Sequence, residues 1–236
     1  MTRQVVLDTE TTGLEWKKGN RIVEIGCIEL LQRQPSGRQF HRYLNPDREM
    51  EPGAVQVTGL TTEFLADKPR FAQVAEELLA FIDGAELIIH NAAFDVGFLD
   101  HELGLLAAGH ARIGERCAVL DTLVLARERF PGQRNSLDAL CQRLQVDNSG
   151  RTVHGALLDA ELLADVYLRM TAGQGDLGLE IASPQATRAS AAIAQAVHPR
   201  RVLRANTQEL AHHHERLARI GKASGGNTLW AEDAVG

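Results

Sequence analysis

Val5-Val6-Leu7-Asp8-Thr9-Glu10-Thr11-Thr12-Gly13 runs from three apolar residues straight into two acids. The β-branched and apolar character of residues 3–9 predicts a strand. Alternate residues of a strand share a face, so Asp8 and Glu10 point the same way. Two like charges side by side repel, which leaves two readings open. They are either a solvated pair flanking a sheet edge or a pair held together for chemistry. Thr11-Thr12-Gly13 then forms a loop able to offer hydroxyls and a closely approachable backbone.

Working outward, residues 21–31 and 38–46 read as two further strands, with Pro35-Ser36-Gly37 as the turn between them. These three strands can form an antiparallel meander. The period then changes. Phe71, Val74, Ala75, Leu78, Leu79 and Ile82 recur at helical spacing, and Gly84 ends that helix. Glu86-Leu87-Ile88-Ile89-His90 is apolar on both faces, as a buried parallel strand is. A helix over 93–107, a strand over 117–121 and helices near 121–129, 136–144 and 155–171 complete the pattern. Strands first, then alternating strands and helices, predict an α/β domain with a mixed sheet and helices packed on it.

The 236 residues, 44% hydrophobic and 24% charged, are ordinary for a globular protein. No stretch approaches the length of a membrane span, and residues 1–10 lack the apolar run of a signal peptide. A cytoplasmic location is therefore expected. Cys27, Cys117 and Cys141 are odd in number and widely spaced, which argues for reduced, buried thiols rather than a disulfide framework or zinc site. The net charge is −6, whereas a protein that grips nucleic acid unaided is usually basic. Residues 173–236 carry 7 basic and 6 acidic residues, so the acidity belongs to the first 172. An acidic body is compatible with an acidic metal site that meets its substrate through a partner.

Asp159 is the most informative single acid. On a helix from 155 to 171, the other polar positions Glu161, Asp165 and Arg169 lie roughly 200°, 240° and 280° away from it. Asp159 therefore sits off the polar stripe, among Leu158, Leu162 and Leu163. A carboxylate there must be paired with a base or bound to metal. Asp95, in the first turn of the helix after His90, is already favoured by the helix dipole. His154 precedes Asp159 by five residues, at or just before the helix start; a lone His there is either filler or a catalyst. Chemistry unites these residues. Hard divalent ions such as Mg²⁺ or Mn²⁺ take carboxylate oxygens. Two of them ~4 Å apart can stabilise both oxygens of an in-line displacement at phosphorus. A neighbouring His, with an ordinary pKa of ~6.5, can take a proton from water.

In combination the segments resemble a known family. Val6 to Gly13 resembles the first motif of the DEDDh 3′→5′ exonucleases, His90-Asn91-Ala92-Ala93-Phe94-Asp95 the second, and His154-Gly155-Ala156-Leu157-Leu158-Asp159 the third. The resemblance covers residues 3–172. Arg134-Asn135-Ser136-Leu137-Asp138-Ala139-Leu140-Cys141 and Arg151-Thr152-Val153-His154 are similar to the branch that proofreads for bacterial replicative polymerases. The resemblance implies a ribonuclease-H-like fold with a five-stranded mixed sheet. It implies that Asp8, Glu10 and Asp159 hold two divalent ions, Mg²⁺ or Mn²⁺, that Asp95 completes the tetrad, and that His154 is the general base. Thr11, Thr12, Gly13 and Leu14 would meet the 3′-terminal nucleotide of DNA. Thr58 is a further candidate contact to that nucleotide; it stands where family members often carry His, as Gly53 stands where some carry Glu, so the contacts of that His and that Glu are not expected here.

The resemblance also divides the chain into an exonuclease domain (1–172), a flexible linker (173–200) and a segment (201–236) that binds the polymerase catalytic (alpha) subunit. Composition agrees: residues 182–197 are rich in Ala, Ser, Gln and Thr, and Trp230 is the only aromatic after 173. A helix is expected from about Thr207 to Ile220. Gln174, Leu177 and Leu179 resemble a sliding-clamp-binding peptide, and the resemblance raises a small theta-like subunit as a candidate further partner of the core, whose presence the sequence itself does not give. Trp230 reads either as a partner anchor or as an internal contact. His212, His213 and His214 fan out ~100° apart on a helix and cannot converge on one ion. Asp121 and Asp138 read as helix-start residues. Two other functions share these features: an RNA-trimming 3′→5′ exoribonuclease, and a non-catalytic scaffold of a polymerase complex.

Overall fold

The computed structural model describes residues 2–106, 109–151, 153–172 and 205–225. The segments read as clamp peptide and linker lie outside these described residues, as do Arg201-Val202-Leu203, at the start of the segment read as polymerase-binding, and Trp230. The elements run β1 (Arg3–Thr11), β2 (Ile22–Leu31), β3 (Gln34–Tyr43), α1 (Pro52–Thr58), α2 (Thr62–Leu65), α3 (Phe71–Ile82), β4 (Glu86–Ile89), α4 (Ala92–Gly104), α5 (Ile113–Arg116), β5 (Ala118–Asp121), α6 (Thr122–Arg129), α7 (Leu137–Leu144), α8 (Ala156–Met170) and α9 (Thr207–Ala223). Among them no helix is long and apolar enough to cross a membrane. α9 falls in a separate unit beginning at Glu180. Asn206 caps it through Gln208 N and Glu209 N, and His212, His213 and His214 are exposed on it.

The strands form one mixed sheet in the order β3-β2-β1-β4-β5. β1, β2 and β3 are the expected antiparallel meander. β4 runs parallel to β1, and β5 parallel to β4. This is the ribonuclease-H-like α/β arrangement. Both faces of the sheet are covered. Val5, Leu7, Ile25, Cys27, Leu87 and Ile89 pack with α3 and α4 residues such as Leu78, Ile82, Phe98 and Leu99. Val6, Leu30 and Ile88 pack on the other face with Leu140, Cys141, Leu163, Val166 and Met170 of α7 and α8. Strand alternation thus sends Val6, and after it Asp8 and Glu10, toward the α8 face.

Two details differ from the sequence reading. Pro35-Ser36-Gly37 lies inside β3, and the chain reverses instead at Gln32 and Arg33, with φ of 51° and 64°. Two successive left-handed residues make the tight hairpin turn whose twist suits antiparallel strands. Pro35 is tolerated because β3 is the sheet edge, where its missing N–H removes no interior ladder bond. The short helices α1, α2 and α5 have no expected counterpart. α1 is set only by Pro52 at its start and Gly59, φ 72°, at its end, too few turns to show a period.

Candidate active site

The site lies where β1 outlasts β4. The β1–β4 pairing ends at Val6 opposite Ile88. Asp8 and Glu10 extend past it at the carboxyl end of β1, the position where open α/β sheets place their ligands. On β2 the residue opposite Asp8 is Gly26, and the residue opposite Glu10 is Glu24. Gly26 lets α8 in: a Cβ there would lie 2.3 Å from the Ala156 carbonyl carbon and the Leu157 nitrogen. The first turn of α8, with Asp159, therefore rests directly on the strand beside Asp8. Gly26→Ala is accordingly expected to cost about 1–3 kcal/mol through overpacking. It should also weaken divalent-ion binding by displacing Asp159; an unchanged melting temperature with unchanged ion affinity would contradict this placement.

Asp95 enters from the first turn of α4 and is 3% exposed. Its Oδ1 accepts from Thr9 N at 3.0 Å and from Thr9 Oγ1 at 2.7 Å, using a strand-edge N–H that β4 no longer covers. The turn into α4 passes through Asn91 at φ 65°, and Asp121 accepts from both Asn91 N and Ala92 N. Asp121 also caps α6 through Leu123 N and Val124 N, so one carboxylate fixes two helix starts.

The electrostatics are those of crowded, dehydrated acids. Burial, followed by the charges of Asp95, Glu10 and Asp159, raises the Asp8 carboxyl well above the carboxylate range. Burial, then Asp159 and Glu24, pushes Glu10 up to about 8. Burial raises Asp95 to about 7 against the opposing Thr9 hydrogen bonds. Ligand atoms of Glu10, His154 and Asp159 lie within 4.8 Å of one another. Buried oxygens that repel each other this way fit hard divalent cations, which supply the missing positive charge.

Asp159 is 3% exposed, and the base-pairing reading of it is also met: Arg151 grips both its oxygens, Nε donating to Oδ1 at 2.6 Å and Nη2 to Oδ2 at 2.5 Å. Asp138 is not the cap of α7. Ser136 takes that role through Ala139 N, and Asp138 pairs with Arg151 at 2.6 Å. His154 is held by its backbone N–H, which donates to Val57 O at the end of α1. A cleft of about 670 Å³ opens from Asp8, His154 and Asp159 past His90 to Arg127 and Arg134.

The loop residues divide. Thr11 Oγ1 donates to Gly13 O, and Thr12 Oγ1 to Asn20 Oδ1, so these hydroxyls brace the loop from within. Leu14 is 80% exposed and free to meet a ligand. Gly13 is close-packed, since a Cβ would fall 2.4 Å from the Glu51 carboxylate. Thr58 is buried, with its hydroxyl donating to Ala54 O and accepting from Leu60 N. Sequence reasoning quoted Arg151 within a resembling segment but gave it no role, and it missed the Glu24–His41 pair, in which His41 Nε2 lies 2.7 Å from a Glu24 that is 2% exposed. The Glu24 signal was visible as an acid inside the apolar run Ile22 to Ile28.

Comparison with known proteins gives the family. A family model described as exonuclease matches residues 5–167. The DNA polymerase III subunit epsilon of Salmonella typhimurium is 49% identical over 98% of each chain. The protein of the same name from Escherichia coli K12 is 48% identical over the same share. Among solved structures, exonuclease X in complex with 5′ overhanging duplex DNA is 26% identical, with a TM-score of 0.56, over 74% of this chain and 93% of that one.

Proposed function

Because the chain belongs to the exonuclease family and, within it, to the DNA polymerase III epsilon subunits, we propose that it proofreads DNA. It removes mismatched 3′-terminal nucleotides by two-metal-ion hydrolysis, as a subunit of a replicative polymerase. The observation that carries this reading is the convergence of Glu10, Asp159 and His154 within 4.8 Å, beside the buried acids Asp8 and Asp95.

Asp8, Glu10 and Asp159 hold the divalent ions, Mg²⁺ or Mn²⁺, and Asp95 completes the set while fixing β1 through Thr9. When bound, such ions stabilise charge on the attacking and leaving oxygens of an in-line displacement at phosphorus. His154, 45% exposed beside them, takes the proton from the attacking water. Leu14 offers an apolar surface to the terminal nucleotide, and the braced Thr11-Thr12-Gly13 backbone keeps it in place. The product is a nucleoside 5′-monophosphate and a DNA strand one residue shorter. The polymerase catalytic (alpha) subunit binds residues 201–236, the sliding clamp binds Gln174, Leu177 and Leu179, and a theta-like subunit binds the core. These partners supply the DNA grip that an acidic body lacks.

The test is hydrolysis of matched and 3′-mismatched primer–template DNA, and of the equivalent RNA, in Mg²⁺ with and without EDTA. Metal-dependent nucleotide release from DNA, faster at the mismatch, is expected. Preference for RNA would overturn the DNA assignment, and hydrolysis in EDTA would overturn the metal assignment. Deleting residues 173–236 should abolish capture by the polymerase subunit and clamp and leave hydrolysis intact.

A further inference from the structure

Arg151 has its side chain 7% exposed, and its guanidinium is committed entirely to the site. Besides its two bonds to Asp159, Nη2 lies 2.7 Å from His154 Nδ1, and Nη1 donates to Asp138 Oδ1 at 2.6 Å. A guanidinium has no acceptor atom, so Nδ1 must be the accepting nitrogen of that bond. The neutral imidazole then carries its proton on Nε2. In this arrangement His154 has no lone pair left for a proton from water. The contact between His154 Nδ1 and Asp159 Oδ2, 3.3 Å apart, would need a proton on Nδ1 and so excludes the Arg151 bond.

The same fork bears on Asp159. It engages both oxygens that a hard cation would use, and it is a fixed positive charge that cannot lose its proton. A divalent ion on Asp159 meets both competition for oxygen and repulsion from Arg151. The third partner resolves this. Asp138 has its side chain 55% exposed and already holds one arm of the guanidinium.

We propose that Arg151 is a positioning residue that competes with the divalent ion for Asp159 and with the attacking water for His154 Nδ1, and that Asp138 is the acceptor toward which it withdraws. The inference rests on the metal-dependent reading of the site.

The experiment is Mn²⁺ binding to the full-length protein, read by electron paramagnetic resonance of the free ion, with thermal melts of each variant. Arg151→Gln is expected to bind Mn²⁺ about tenfold more tightly, the scale on which residues behind metal ligands act. Arg151→Lys, which keeps the charge and loses the fork, should fall between. Asp138→Asn keeps an acceptor for Nη1 but removes the charge that draws Arg151 away from Asp159 and His154, so it should weaken binding several-fold. A merely structural role would weaken both the Arg151→Gln and the Asp138→Asn proteins. Equal or weaker binding by Arg151→Gln, with wild type binding normally, overturns the competition and leaves the nuclease reading standing. Should Arg151→Gln not fold, unchanged or tighter affinity in Asp138→Asn overturns it instead. Failure of the wild type itself to bind Mn²⁺ overturns the nuclease reading and this inference together.

Discussion

Asp8→Ala loses nucleotide release by roughly 10⁴-fold, the scale seen when a member of a concerted catalytic set is removed, yet in EDTA at alkaline pH it melts at a higher temperature than the wild type. Both effects have one cause. Asp8 is held among Asp95, Glu10 and Asp159, whose charges raise its carboxyl after burial has done so. Asp8, Glu10 at about 8 and Asp95 at about 7 all keep their protons in the folded chain well above the ordinary carboxylate range. In the unfolded chain they release them near pH ~4. The stability these groups contribute is therefore fully present below pH ~4 and is lost as pH rises through 7 to 8. In EDTA the melting temperature of the wild type should fall between pH 5 and pH 9 on this account. Mg²⁺, which favours the ionised carboxylates, should restore it, and by more at pH 9 than at pH 5. Asp8→Ala removes one of the repelling groups, flattening the decline in EDTA and reducing the gain from Mg²⁺. Each kcal/mol corresponds to about 2–4 °C in a domain of this size, so a fluorescence melt resolves the effect. A pH-independent Mg²⁺ shift, or an Asp8→Ala protein that melts below wild type in EDTA at pH 9, would contradict it.

His154→Ala should lower kcat by ~10²–10⁴-fold, the usual worth of a general base, with KM for DNA and Mn²⁺ affinity close to wild type. The geometry makes the metal measurement decisive. His154 is grouped with Glu10 and Asp159 closely enough to serve as a ligand itself. Lost Mn²⁺ binding would make it a ligand, and an unchanged kcat would remove it from the chemistry.

Much of this site could be read from residues alone, because two periodicities did the work. Strand alternation set Asp8 and Glu10 on one face, and the structure adds that this face is the one α8 covers. Helical angle singled out Asp159 as an acid away from the polar stripe, and it is buried. The resemblance then joined Asp95 and His154 to them. What stayed hidden lies where no period operates. Arg151 is in the irregular stretch between α7 and α8, and nothing in its neighbours announces that it reaches eight residues on to Asp159. Asp138 reads as a helix-start acid, yet Ser136 caps that helix and leaves the carboxylate for Arg151. Gly26 reads as one more position in an apolar strand. Its meaning, a gap through which a helix backbone touches the sheet, depends on a contact 130 residues away in sequence. The turn at Gln32 and Arg33 was concealed by the stronger turn composition of Pro35-Ser36-Gly37, which an edge strand tolerates.

The most direct test of the central claim is anomalous diffraction at the manganese edge from crystals grown with Mn²⁺ and a nucleoside 5′-monophosphate. Two anomalous peaks against the carboxylates of Asp8, Glu10 and Asp159, with the phosphate beside them, are the predicted result. Peaks elsewhere, or ordered nucleotide in that cleft without any manganese, would contradict the account.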